Sequence, residues 1–191
     1  MSIIVFVGTS GAGKSTAADA LCNTHGAKYI LSYTTRARRA DEIDRRTGEY
    51  AFDISKEDFR TWQDSDDMEW VDEFAGNLYG TKKADIQEAC ETDELRAVIL
   101  IPTVLTRFDN AVKRYGGKVK YLFFDPAPDT VLETRMKDRK VTKGQQEARM
   151  AKIAWFKFEA DKTGLPFVHI TNEGTIDELV KKVEVVVTNS L

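Results

Sequence analysis

The sequence predicts an α/β fold: a doubly wound parallel sheet with helices on both faces and a small mixed insertion beside it. Three observations carry that prediction. The chain opens on Ile3-Ile4-Val5-Phe6-Val7, a β-branched apolar run of the kind that forms a strand buried on both faces. Comparable runs recur at Tyr29–Ser32, Ala97–Ile101, Val119–Phe124 and Phe167–Ile170, with helical patterns between them. Directly after the first run stands Gly8-Thr9-Ser10-Gly11-Ala12-Gly13-Lys14-Ser15, followed by Thr16. It fills every fixed position of the phosphate-binding pattern Gly-x-x-x-x-Gly-Lys-Ser/Thr.

The spacing has a physical reason. Glycines let the backbone turn tightly and bring its N–H groups against phosphates, and the N-terminus of the following helix favours negative charge there. Residues Gly8 to Thr16 therefore form the expected phosphate-binding stretch of a nucleotide site. Lys14 is placed to reach the β- and γ-phosphates, and Ser15 to set its hydroxyl on Mg²⁺, a hard ion that takes only one or two protein ligands. The bland alternative is a glycine-rich turn that merely joins strand to helix.

Length and composition bound the rest. At 191 residues with 42% hydrophobic content, the chain is one domain of ordinary size with enough apolar material for a core. Its 28 basic and 31 acidic residues give a net charge of −3, without the basic excess of a nucleic-acid or membrane-surface binder. The longest apolar runs fall far short of the ~18 residues a membrane span needs, and no signal-peptide pattern opens the chain. Cys22 and Cys90 are far apart and each falls in an expected helix, so neither a disulfide framework nor a zinc site is indicated. The expected setting is the cytoplasm, with small-molecule partners and a monomeric or homodimeric state.

Taken in order, a helix through Ala17–Cys22 stops at His25-Gly26, with Gly26 as a left-handed cap, and a second strand covers Tyr29–Ser32. A polar loop follows, with five arginines between Arg36 and Arg46; such a loop either binds a phosphate or is simply solvated. Tyr50 and Phe52 mark a short strand, and Ser55 with Asp58 forms a capping arrangement for a helix through Phe59 and Trp62. Glu69–Phe74 is another strand, and Gly76-Asn77 turns the chain before Leu78-Tyr79-Gly80. Residues 33–81 are thus expected to form the insertion beside a core of 1–32 and 82–191. A helix from Lys82 to about Thr92 leads into the strand Ala97–Ile101, ended by Pro102, and a helix from Thr103 to Tyr115 stops at Gly116-Gly117. After Val119–Phe124, Asp125-Pro126-Ala127-Pro128 precedes a helix with Val131, Leu132, Arg135 and Met136. Residues 139–145 are polar and read as part of a lid over about 135–150, a long helix runs from Gln146 to about Lys162, and Ile176–Val187 is the last helix.

These pieces together resemble guanylate kinase over nearly the whole chain. The resemblance rests on the phosphate loop, Ser32-Tyr33-Thr34-Thr35-Arg36-Ala37-Arg38-Arg39, Glu49-Tyr50-Ala51-Phe52, Met68-Glu69-Trp70 and Gly76-Asn77-Leu78-Tyr79-Gly80-Thr81. It implies a P-loop NTPase core with a nucleotide-monophosphate-binding insertion and a lid, and transfer of the γ-phosphoryl group of ATP to GMP or dGMP. By the same resemblance Arg36 and Arg39 grip the acceptor's phosphate, helped by Tyr50 and Tyr79. Ser32, Glu69 and Thr81 match the guanine readers. Arg135, Arg139 and Arg149 match lid arginines that meet the transferring group, and Asn172 a position near the adenine. A carboxylate can accept from guanine N1–H and its amine, hydroxyls can donate to O6, and planar arginine forks suit a phosphate. Taken singly, Tyr50 and Tyr79 read as packing residues, Arg135 and Arg139 as a solvated helix surface, and Asn172 as a turn residue or helix cap.

The chain departs from the family pattern where a pair of acidic residues is usual: Leu100 and Pro102 stand there. The stretch between Glu69 and Gly76 is also a residue or two longer than usual, which makes Asp72 and Glu73 candidates for the missing carboxylate. Two alternatives follow: a ribose 1,5-bisphosphate phosphokinase-like enzyme, and a non-catalytic guanylate-kinase-like interaction module. Glu69 and the Gly-Asn-Leu-Tyr-Gly-Thr stretch argue against the first, and the intact Gly13-Lys14-Ser15 against the second.

Overall fold

Strand β1 (Ile3–Gly8) is buried along its whole length, because alternate side chains enter two different cores. Ile3, Val5 and Val7 meet one apolar cluster, and Ile4 and Phe6 meet the other. The computed structural model describes residues 2–9, 11–38, 48–74, 76–126 and 143–188, with side chains in the last stretch from Ala151 onward.

Helix α1 (Lys14–His25) follows β1 across the phosphate loop and ends on Gly26, whose φ of 66° is the expected left-handed cap. The expected second strand divides in two. Its first part is β2 (Lys28–Tyr29), which pairs with β7 (Arg96–Ile99), and the Ile30 N–H still donates to Ala97 O. Its last residue belongs to β3 (Ser32–Thr34), where the Ser32 N–H donates to Glu49 O in a different sheet. The apolar run is continuous in sequence, but its hydrogen-bond partners change at Leu31.

The large sheet has the order β2-β7-β1-β8-β9, with β8 (Val119–Phe124) and β9 (Phe167–Ile170), and every neighbouring pair is parallel. Helices α3 (Lys83–Glu91), α4 (Leu105–Arg114) and α5 (Lys143–Lys162) contribute Ile86, Phe108 and Ala160 to one core. Helices α1 and α6 (Ile176–Thr188) contribute Leu21, Leu179 and Val183 to the other. The fold is the doubly wound α/β arrangement that the alternating pattern predicts.

The second sheet has the order β4-β3-β6-β5, with β4 (Tyr50–Ala51), β5 (Met68–Phe74) and β6 (Asn77–Lys82). It is mixed: β3 runs parallel to β4 and antiparallel to β6. Helix α2 (Lys56–Asp64) starts in a full capping box between Ser55 and Asp58. It lays Phe59 and Trp62 on the face that carries Tyr33. Gly80 permits that approach, since a Cβ there would strike Met68, the Trp70 carbonyl and Phe59.

Three boundaries shift from the sequence reading. Strand β7 ends at Ile99, and Pro102–Val104 forms a single 3-10 turn before α4, because proline lacks the N–H a strand needs yet suits the first turn of a helix. Asn77 belongs to β6 and not to the turn. Lys143, Gly144 and Gln145, expected in the lid loop, are already helical in α5. The expected helix with Val131 to Met136 and the rest of the lid before 143 lie outside the described residues.

Candidate active site

The phosphate loop leaves the C-terminal end of β1, the central strand, where ligands bind in open parallel sheets. Gly8 has φ 144°, and a Cβ there would come within 2.7 Å of Phe124 O on β8. At Gly13, with φ 98°, a Cβ would lie 2.6 Å from Asn172 Nδ2 and 2.8 Å from Leu179 Cδ2. Only glycine allows these close passes. The loop is closed internally by Ala12 N–H to Thr9 O at 3.2 Å, and Asn172 Nδ2 donates to Ala12 O at 3.0 Å. Asn172 thus braces the loop from the end of β9.

Helix α1 begins with no side-chain cap and no acid in its first turn, so its leading N–H groups and positive dipole end are available to an anion. Lys14 Nζ lies over the loop and donates to Thr9 O at 2.8 Å. Burial lowers its pKa to about 8, with Glu49 opposing the shift and Lys152 adding to it. The ammonium is therefore held out of solvent with Glu49 as a nearby counter-charge, and a bound phosphate adds further favourable charge.

Across from the loop, β3, β4 and β6 gather a second cationic and hydroxylic cluster. The Arg36 guanidinium lies 5.8 Å from the Tyr50 ring centroid and 5.0 Å from that of Phe52, and the Tyr50 and Tyr79 rings meet edge to face at 6.1 Å. Its backbone is fixed by Arg36 N–H donating to Thr34 Oγ1 at 3.1 Å and by Thr34 Oγ1 donating to Leu78 O at 2.9 Å. Burial, then Glu49 and Tyr79, push the Tyr50 hydroxyl well above its ordinary range, so it remains a donor. Ser32 Oγ and Thr81 Oγ1 stand 3.5 Å apart and both are buried.

The carboxylate expected to complete that pair is engaged elsewhere. A bulge between Met68 and Trp70 sets Trp70 opposite Thr81 and leaves Glu69 as the extra residue. Arg114 at the end of α4 donates to both its oxygens, at 3.1 and 3.3 Å. Two residues beyond Trp70, Asp72 pairs with Tyr79, and its Oδ2 accepts from Thr103 Oγ1 at 2.5 Å. Leu100 is buried, and Pro102 opens the 3-10 turn that presents Thr103.

Residues 1–190 match the model of the family "Guanylate kinase". The chain belongs to this family. A guanylate kinase from Synechocystis sp. is 32% identical over 139 residues, 72% of this chain and 69% of that protein. One from Synechococcus sp. is 38% identical over 88 residues, 45% of this chain and 46% of the relative, so there the match spans about half of either protein. A crystal structure of guanylate kinase from Anaplasma phagocytophilum shares the fold, with TM-score 0.64 at 18% identity, covering 100% of this chain and 85% of that one. Family membership makes the chain a nucleoside monophosphate kinase, a nucleotide-binding transferase that uses ATP.

Among the described residues no group of three His, Cys, Asp or Glu side chains could form a metal cage. Ser15, the second residue of α1, offers one hydroxyl beside the phosphate-facing N–H groups. That donor set fits Mg²⁺ bound chiefly by nucleotide phosphates and water.

The guanylate kinase positions Ser10, Arg39, Arg135 and Arg139 lie outside the described residues, as does the Arg149 side chain. Gly8, Thr9, Gly11, Ala12, Gly13, Lys14, Ser15, Thr16 and Asn172 surround the loop, and Arg36, Tyr50 and Tyr79 form the facing cluster. Sequence reasoning missed Glu49, Lys152 and Thr103. Glu49 could have been found beside Tyr50, but nothing in the spacing links Lys152 or Thr103 to the motifs.

Proposed function

We propose that the chain transfers the γ-phosphoryl group of ATP to GMP or dGMP, giving ADP and GDP or dGDP. The observation that carries this reading is Lys14, held over the glycine loop by its 2.8 Å hydrogen bond to Thr9 O, in a chain whose residues 1–190 match the guanylate kinase family. The cluster of Arg36, Tyr50 and Tyr79 on the second sheet offers the cation and hydroxyls for an acceptor phosphate. In this reading the loop N–H groups and Lys14 hold the β- and γ-phosphates. Arg36, Arg39, Tyr50 and Tyr79 hold the acceptor's phosphate, and Arg135, Arg139 and Arg149 neutralise the transferring group. Phosphoryl transfer needs positioning and charge stabilisation more than covalent chemistry, which suits this donor-rich set. Mg²⁺, bound through Ser15, supplies further charge neutralisation at the β- and γ-phosphates.

On the same reading residues 33–81 form the acceptor-binding part, 135–150 the lid, and 1–32 with 82–191 the core. Ser32 and Thr81 donate to guanine O6. Among the described residues no helix is long and apolar enough to cross a membrane, and Cys22 and Cys90 are free thiols. In this reading the enzyme is cytoplasmic and works on small molecules. The ribose bisphosphate and non-catalytic alternatives have no observation in their favour.

The test is ADP release across GMP, dGMP, AMP, CMP, dTMP and ribose 1,5-bisphosphate. GMP and dGMP should give the highest kcat/KM. Preference for AMP, a pyrimidine or ribose bisphosphate would overturn the guanine reading, and absence of turnover with every acceptor would overturn the kinase reading.

A further inference from the structure

The pairing of the second sheet sorts its residues by face. Thr34 and Asp72 each oppose Tyr79, Trp70 opposes Thr81, and Ser32 opposes Tyr50. Side chains alternate along a strand, so Ser32, Thr34, Tyr79, Thr81, Trp70 and Asp72 share one face, and Tyr33 and Gly80 lie on the α2 face. Strands β3 and β5 flank β6, which puts the Ser32 side and the Asp72 side about 10 Å apart across it.

Asp72 is half-buried and held from two directions. Thr103 Oγ1 donates to its Oδ2 at 2.5 Å, and the Glu73 N–H donates to its Oδ1 at 2.9 Å. An ionised carboxylate has about four acceptor sites, so two remain for a ligand. It lines a cleft of about 430 Å³ together with Glu73, Phe74, Ile101, Thr103, Lys152 and Trp155; Glu73 is exposed and pairs with Leu78, on the face opposite to that of Asp72. Lys152 also acts on Lys14 of the phosphate loop, so the cleft opens beside the site already described. Glu69 has a different duty, since both its oxygens accept from Arg114.

We propose that Asp72, positioned by the Thr103 hydroxyl, is the carboxylate that reads the acceptor base, accepting from the N1–H and exocyclic amine of guanine. The inference rests on the guanine kinase reading above. The extra residue of the β5 bulge turns Glu69 to Arg114, and Asp72, on the face of Ser32 and Thr81, supplies the acceptor that Leu100 and Pro102 cannot. Thr103 is a positioning residue: its hydroxyl fixes the carboxylate's rotamer and does not touch the base.

Steady-state kcat/KM for GMP and for IMP, which lacks the amine, tests this on wild type, Asp72→Asn, Thr103→Val, Thr103→Ser and Glu69→Gln. Loss of charge-assisted hydrogen bonds to the base lowers kcat/KM for GMP at least about tenfold in Asp72→Asn and for IMP by about threefold or less, so the GMP-to-IMP ratio collapses. Thr103→Val narrows the same ratio through the KM of GMP with kcat retained, and Thr103→Ser restores it. Glu69→Gln changes the ratio by less than about twofold, because its partner is Arg114. A ratio that survives Asp72→Asn, or that collapses in Glu69→Gln instead, overturns the assignment. If Asp72→Asn is not folded by its thermal transition, the Thr103 pair decides. A wild type that prefers another monophosphate overturns the guanine reading itself, which is a separate outcome.

Discussion

Burial holds the Lys14 pKa near 8, against an ordinary lysine value of 10.5. Two consequences follow at the scale of this residue. Between about pH 8 and 10.5 the unfolded chain binds more protons than the folded one, so folding stability rises with pH across that window, and the penalty is fully present below it. Phosphates of a bound nucleotide favour the charged ammonium, so ATP binding at about pH 8.5 takes up a proton at Lys14. Titration calorimetry in two buffers of different ionisation enthalpy reads this, and equal apparent enthalpies would show that Lys14 stays charged in the free protein. Lys14→Ala should abolish the uptake and cost about 2.7–4 kcal/mol of transition-state stabilisation, roughly a hundredfold or more in kcat/KM. Its thermal midpoint should not fall, since the variant removes a desolvated charge. Near-full activity in that variant would show that the loop is not the ATP site.

Among the elements, α2 makes the clearest separate forecast, because it shapes the second sheet without touching either phosphate site. Ser55 Oγ accepts from the Asp58 N–H at 3.0 Å, and Asp58 accepts in return from the Ser55 N–H at 3.2 Å. Ser55→Ala should cost about 1 kcal/mol, read as a lower urea midpoint at unchanged slope, with kcat/KM for ATP unaffected. This cap was legible because its partners are three residues apart. The phosphate loop was legible for the same reason, as were β1, β8 and β9, whose apolar runs coincide with single strands. The base-reading end of the site was not legible. Which of Glu69, Asp72 and Glu73 faces the acceptor depends on hairpin register, and a slip of one residue exchanges the faces of a strand. The bulge at Met68/Trp70 decides where Glu69 falls; the extra length between Glu69 and Gly76 marks that stretch in the sequence but not which residue the bulge sets aside. The division of Tyr29–Ser32 between two sheets escaped for a related reason: propensity marks an extended chain but not the partner it pairs with.

At the scale of the whole molecule, the proposed donor and acceptor sites belong to different sheets, so their substitutions should separate kinetically. Arg36→Ala should raise the KM for GMP by about tenfold or more, the loss of a charge-assisted phosphate contact, with the KM for ATP changed by less than about twofold. A variant that weakens ATP alone would overturn the assignment of the second sheet to the acceptor. The chain passes from the large sheet to the second one through Ile30 and Leu31, and returns where β6 runs directly into α3 at Lys82 and Lys83. Both passages are anchored, by the Ile30 N–H on Ala97 O and the Lys83 N–H on Asp67 O, each at 2.9 Å. Between those passages Glu69 is held by Arg114, Asp72 by Thr103, and Trp70 enters the core of the large sheet, so the two sheets are welded along a seam and should unfold in one step.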